Sequence, residues 1–213
     1  MKKHRLFIAL AVLIFVIAAY ILGWSTFFTV SSVEIKGTNA LMSSTIVPGQ
    51  KLARVEPRTV AAEFEKSAWI KSADVSRNWI SGKVTITLTE RSPVAIYNDQ
   101  AIDADGVSFP APTDSVADLP QITAPSIESA VAASAFLMGL PAEIADMVQL
   151  VKVRSGDAYL LQIYDGKKSI EILWGQEGET ALKVKVYKAL IAQPENSGIR
   201  HIDLTAPHAP IVK

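Results

Sequence analysis

The chain has 213 residues, no cysteine, and 21 basic against 21 acidic side chains. Without cysteine it forms no disulfide, thiolate metal site or thiol nucleophile, and His4, His201 and His208 are too scattered for a His-rich metal site. Zero net charge excludes the broad basic footprint of a nucleic-acid binder.

Lys2, Lys3 and Arg5 precede Leu6–Trp24, 19 residues without a charge. At about 1.5 Å per residue a helix of that length spans roughly 28 Å, close to the hydrocarbon thickness of a bilayer. Twelve of the 19 are Leu, Ile, Val or Phe, which together favour insertion by roughly 5 kcal/mol. The run is longer than the h-region of a cleaved signal peptide. Ala9-Leu10-Ala11 lies inside it, and Gly23-Trp24-Ser25 is a weak cleavage site. The expectation is an uncleaved, single-pass type II anchor in the cytoplasmic membrane. The basic flank puts the N-terminal tail, residues 1–5, in the cytoplasm and everything after Trp24 outside it. Removing the three tail cations leaves 18 basic against 21 acidic residues, a net of −3.

Val33 and Ile35 alternate in a short strand that stops at Gly37. "SSTIVPGQ" predicts a helical turn before Pro48-Gly49. Pro57 opens a helix with Val60 and Phe64 on one face. "WIKSADVSR" and "KVTITLTE" read as strands, the second with Val84, Ile86 and Leu88 on one side and Thr85, Thr87 and Thr89 on the other. This is β-α-α-β-β: three strands with two helices on one face.

From Pro93 onward, "PVAIYND" and "QAIDADGVSF" predict strands, with turns at Asn98-Asp99 and Asp105-Gly106. A proline-rich loop covers 110–120. A helix capped by Ser126 runs to Gly139, and strands follow at "VQLVKVR", "AYLLQIY" and "KSIEILWG". A second helix, "ETALKVKVYKALIAQ", turns Leu182, Val186 and Leu190 inward, and "IRHIDL" is the last strand. The fold class is α+β: a transmembrane helix at 6–24, a first domain at 27–91, and a mixed β-rich domain with two helices at 92–213.

The motifs for chemistry fail one by one. Asp103-Ala104-Asp105-Gly106 brings glycine at position 4, where a calcium loop needs it at 6. No G-x-S-x-G or phosphate-binding glycine loop occurs. Glu90 and Arg91 are strand neighbours, so they point to opposite faces and do not converge on one atom as an acid-base pair must. Pro93 cannot donate to a ladder and marks a strand start. Glu90-Arg91-Ser92-Pro93 therefore reads as the joint between two domains. Trp69, Trp79 and Trp174 are expected to pack against strands.

Several stretches carry a resemblance: "FFTVSSVEIKGTNALMSSTIV" (27–47), "AWIKSADVSRNWISGKVTITLTERSPVA" (68–95), "AIDADGVSF" (101–109) and "IDLTAP" (202–207). In that order they resemble the bacterial cell-division family of FtsQ and DivIB, whose members have a short cytoplasmic tail, one transmembrane helix, a POTRA domain and a β-domain. The second stretch is the most specific. Trp79-Ile80-Ser81 departs from the proline common after that tryptophan in the family.

The resemblance implies a scaffold for septum formation, not an enzyme. It implies no catalytic, cofactor or metal residues, no nucleic-acid partner and no small-molecule substrate. Its partners would resemble FtsB or DivIC, and FtsL, bound outside the membrane by strand addition at the last strand. The residues expected there are Arg200, Ile202, Leu204, Ala206, His208, Ala209, Ile211 and Val212. Pro207 and Pro210 shorten the pairing tail by removing donors. Exposed histidines are usually inert; His201 and His208, which flank that strand, are the candidates for reporting pH at a partner interface. Glu90, Arg91 and Pro93 stay open between the domain joint and a second partner surface. The other function class is a membrane-anchored envelope chaperone or a POTRA protein of transport and secretion.

Overall fold

The computed structural model describes residues 2–24, 28–111 and 118–212. The chain divides into two compact units, Met1–Arg91 and Ser92–Lys213.

The first unit opens with helix α1, Lys2–Trp24. Within it the described side chains are His4 and Phe7–Ile21, and all of them are exposed. Among the described residues no helix is long and apolar enough to cross a membrane. The expected span, Leu6–Trp24, reaches beyond them, since the side chains of Leu6 and Leu22–Trp24 lie outside the described residues.

After α1 come β1 (Ser32–Lys36), a 3-10 turn (Leu52–Arg54), α2 (Pro57–Glu65), β2 (Ile70–Arg77) and β3 (Lys83–Glu90). The sheet order is β1-β3-β2. β3 takes the centre, and its inward residues Val84, Ile86 and Leu88 are all apolar and buried. β1 lies parallel to it, with Val33 opposite Val84 and Ile35 opposite Ile86, and β2 runs antiparallel. α2 contributes Val60 and Phe64 to the core at i, i+4, joined by Leu52, Val55, Ile70 and Val75. Glycine is required at position 37. The φ of Gly37 is +87°, and a Cβ there would run into the Leu88 carbonyl oxygen.

Two expectations are corrected in this unit. The helical turn before Pro48-Gly49 is absent, and a 3-10 turn follows instead, so one α-helix covers the sheet where two were expected. Serine there competes for backbone donors: Ser44 Oγ accepts from the Ile46 amide at 3.2 Å. Trp79 is not a core residue; it is 37% exposed, in the turn between β2 and β3.

The second unit holds β4 (Pro93–Tyr97), β5 (Gln100–Asp103), β6 (Ser108–Pro110), β7 (Gln121–Thr123), α3 (Ile127–Gly139), α4 (Ala142–Ala145), β8 (Val148–Arg154), β9 (Ala158–Tyr164), β10 (Ser169–Gly175), α5 (Thr180–Ile191), β11 (His201–Asp203) and β12 (Ile211–Val212). Its strands form one mixed nine-stranded sheet, ordered β12-β11-β10-β9-β8-β7-β4-β5-β6. The described residues give three α-helices where two were expected, the extra one being the short α4 that follows Pro141. Ser126 caps α3, its Oγ accepting from the Ser129 amide at 3.3 Å. Part of the proline-rich loop, 112–117, lies outside the described residues.

The core of this unit gathers apolar residues from the sheet and the helices, among them Ile122, Leu137, Leu161, Ile172, Trp174 and Tyr187. Phe136 stacks on Tyr159 with centroids 4.1 Å apart and meets Trp174 edge-on. The inward face of α5 is broader than expected: Val186 and Leu190 are half-buried against this core, as expected, and Leu182 is half-buried, but the fully buried positions are Lys183, Val184 and Tyr187. Lys183 is accommodated because its Nζ donates to the Gln176 carbonyl at 2.8 Å and stands 5.5 Å from the Trp174 ring centroid.

Candidate functional site

β11 runs parallel to β10, pairing His201 with Glu171, Ile202 with Ile172 and Asp203 with Leu173. The ladder is extended at both ends, by the Glu171 amide donating to the Arg200 carbonyl and the Leu204 amide to the Leu173 carbonyl, each at 2.8 Å. Period-two alternation divides the strand. Ile202 and Leu204 are buried in the core, while His201 is exposed and Asp203 half-buried on the other face; Arg200, just before the strand, is exposed.

The chain then turns back. Asp203 Oδ1 accepts from the Thr205 amide at 2.9 Å and from the Thr205 hydroxyl at 2.6 Å, which ends β11. Pro207 is buried, and the Ala209 amide donates to the Ala206 carbonyl at 2.9 Å to close a turn. Beyond Pro210, β12 pairs antiparallel with β11, Val212 opposite Ile202 and Ile211 opposite Asp203. The strand expected to be the last, IRHIDL, is therefore followed by one more, and the sheet ends on β12. Both prolines sit in the connection, where their missing N–H groups cost no ladder bond, and Ile211 and Val212 keep their own N–H groups. β12 ends the sheet, with β11 as its neighbour among the described residues.

The predicted partner-binding residues therefore fall into two sets. Ile202 and Leu204 are core. Arg200, Ala206, His208, Ala209 and Ile211 are exposed, and Val212 is half-buried against the core. Ile211, at 56% exposure, borders a shallow hollow of about 260 Å³ with Glu171, Leu173, His201, Ile202 and Asp203. Glu171 and Leu173 were missed in the sequence, because only the parallel β10–β11 pairing brings them beside the tail. His201 Nδ1 stands 3.2 Å from Glu171 Oε1, and His208 Nε2 stands 3.7 Å from Glu179 Oε1.

A second hollow, about 490 Å³, adjoins the end of β11 and is lined by Gln176, Glu179, Lys183 and Thr205 among others. Burial pushes the Lys183 ammonium below the usual lysine range, and the Glu179 carboxylate opposes that.

Glu90 and Arg91 belong to the first unit, and Pro93 to the start of the second. Glu90 is exposed at the end of β3, opposite Ile70. Arg91 binds back onto its own unit, its amide donating to the Trp69 carbonyl at 2.9 Å and its Nε to the Ala68 carbonyl at 3.0 Å. Pro93 opens β4, opposite Asp103. Asp103 organises the β5–β6 turn, its Oδ1 accepting from the Asp105 and Val107 amides at 3.0 and 2.8 Å. Among the described residues no group of three or more His, Cys, Asp or Glu side chains is placed to hold a metal ion.

Residues 28–91 match the POTRA domain, FtsQ-type, and residues 94–205 match the Cell division protein FtsQ/DivIB, C-terminal. The chain is 29% identical to a cell division protein FtsQ of Streptomyces venezuelae over 97% of its own length and 83% of that protein. It is 28% identical to one of Streptomyces collinus, covering 98% and 88%, and 29% identical to one of Mycolicibacterium smegmatis, covering 84% and 54%. With more than half of its residues matched by the C-terminal family alone, the chain belongs to the FtsQ/DivIB family of cell-division proteins.

Proposed function

We propose that this protein is a septation scaffold of the division machinery, without chemistry of its own. It stands on the outer side of the cytoplasmic membrane and binds an FtsB/DivIC-like chain, with an FtsL-like chain in the same complex. The observation that carries the reading is β12. It is a two-residue strand that ends a nine-stranded sheet, with Ile211 exposed beside the hollow. An added strand gains main-chain hydrogen bonds there, and side-chain pockets select the partner. The short, proline-flanked edge also resists pairing with a second copy of itself.

α1 anchors the scaffold. What supports this is its character: from Phe7 to Ile21 it is apolar on every face and all of its side chains are exposed. A helix apolar all round belongs in lipid or in a core, and Lys2, Lys3 and Arg5 favour an inside N-terminus. The Arg91 clamp supports Glu90–Pro93 as a joint between two units, in preference to a partner surface.

A photo-crosslinking amino acid at Ile211 tests the edge in full-length protein expressed with its division partners in membranes. The expected result is an adduct with the FtsB/DivIC-like chain from position 211 and none from Ser108, on the strand at the other end of the sheet. Adducts from 108 alone would move the surface across the sheet. A reporter active only in the cytoplasm, fused after Lys213, is expected to be silent; activity there overturns the topology.

A further inference from the structure

α1 ends at Trp24, and the first described residue after it is Phe28. Four residues of chain reach at most about 14 Å, so whatever holds α1 also holds the start of the three-stranded unit close by. Two loops clasp that start. The Val30 amide donates to the Gln50 carbonyl and the Gly49 amide to the Val30 carbonyl, both at 2.8 Å. On the other side the Ser31 amide donates to the Gly82 carbonyl at 2.8 Å and the Ser31 hydroxyl to the Ser81 carbonyl at 2.7 Å. A Cβ at Gly82 would lie 2.5 Å from the Thr29 carbonyl oxygen, so this contact is close.

Both loops carry apolar side chains into solvent. Val47 is 60% exposed, Ile80 99% and Trp79 37%. Trp79 is braced edge-on by Phe28, centroids 6.1 Å apart, with the Arg77 guanidinium 5.2 Å from its ring centroid. Isolated exposed apolar residues are ordinary on a protein surface. Here three of them sit on the two loops that grip one short segment, a few residues from an apolar helix. Lys51 and Arg54 flank the same segment, because the Leu52 amide between them donates to the Phe28 carbonyl at 3.0 Å.

We propose that this end of the unit is a lipid-contacting foot. Ile80, Trp79 and Val47 enter the headgroup–acyl boundary of an anionic bilayer, and Arg54 faces its phosphates. The inference rests on the reading of α1 as a membrane anchor. Tryptophan suits the boundary, with an apolar ring and one polar N–H. A tether this short keeps even a weak interfacial contact engaged. The foot would set the height and tilt of the unit over the membrane.

The absence of cysteine allows single-site labelling. The full-length I80C chain, carrying an environment-sensitive fluorophore, is reconstituted in phosphatidylglycerol/phosphatidylcholine vesicles with brominated acyl chains. Ile80 is almost wholly exposed, so the substitution should leave the fold intact. The label at position 80 should shift to shorter wavelength and be quenched roughly twofold, as expected of a side chain about 5–10 Å into the boundary. A T89C label, near the far end of β3 and about 20 Å from Lys83 at the rise of a strand, should read water. Flotation of the same vesicles reports α1 separately. Chains that float while the position-80 label reads water overturn the foot and spare the anchor. Chains that do not float overturn the anchor, and the foot with it. Equal quenching at 80 and 89 also overturns the proposal, as does a position-80 shift that needs an added FtsL-like chain and shows no bromolipid quenching.

Discussion

Ile202 and Ile211 lie on one hairpin and should behave in opposite ways. Ile202 is 1% exposed, between Ile172 on β10 and Val212 on β12, and belongs to the core of the second unit. Truncation to alanine removes buried carbons and leaves a cavity, at a cost of about 2–5 kcal/mol. In a unit of this size the melting temperature should fall on the order of 10 °C. Ile211 is 56% exposed. Fully burying an isoleucine is worth about 1.5–3 kcal/mol, so burying the exposed share under a partner is worth roughly 0.8–1.7 kcal/mol. Ile211→Ala should therefore weaken partner capture about 4- to 18-fold while changing stability by about 0.5 kcal/mol or less. Ile211→Asp should weaken it further, since a carboxylate would have to be desolvated. Thermal melts of each purified variant, with a titration of the FtsB/DivIC-like chain, separate the two effects. If Ile211→Asp binds as tightly as the parent, burial of Ile211 under the partner is refuted. If Ile202→Ala melts with the parent, the hairpin is not packed as described.

Three further outcomes follow from the same structure. Gly37→Ala should destabilise the first unit by about 2 kcal/mol or more, because positive φ and contact with the Leu88 carbonyl act together; differential scanning calorimetry reads this directly. Asp165 is held below the usual carboxylate range, first by the Lys168 amide, and it also accepts from the Lys167 amide. Its folded pKa lies under its unfolded value, so its stabilisation is complete above roughly pH 4 and is lost as the pH falls through the folded pKa. Asp165→Asn should flatten part of that acid limb in denaturant melts taken from about pH 6 to about pH 2. Lys183 has the opposite sense, a cation whose folded pKa is depressed by burial. Between its folded and unfolded pKa values the unfolded state binds more protons, so stability from this group rises with pH. Lys183→Met should remove that alkaline rise, followed by urea melts up to about pH 10, while keeping the packing against Trp174.

Local patterns in the sequence determined much of this molecule. The alternation of Val84, Ile86 and Leu88 specifies which side of β3 is buried, because strand period is independent of partner. Pro57 and Ser126 announce α2 and α3 because helix starts are set by the residues at the end itself. Family membership was legible for the same reason, as runs such as Trp69–Ala95 hold local signals in a fixed order. Tertiary structure decided the rest. β7 and β12, of three and two residues, are too short to show a period and exist because a neighbouring strand is there to pair with. Nothing local marks β10 as the neighbour of β11, since α5 lies between them in the chain, so the hollow beside Ile211 was not legible in the tail alone. The inward lysine of α5 violates the hydrophobic pattern. It is accommodated only where the fold brings the Gln176 carbonyl and the Trp174 ring to its head group, a condition met by distance in space and not by position in the chain.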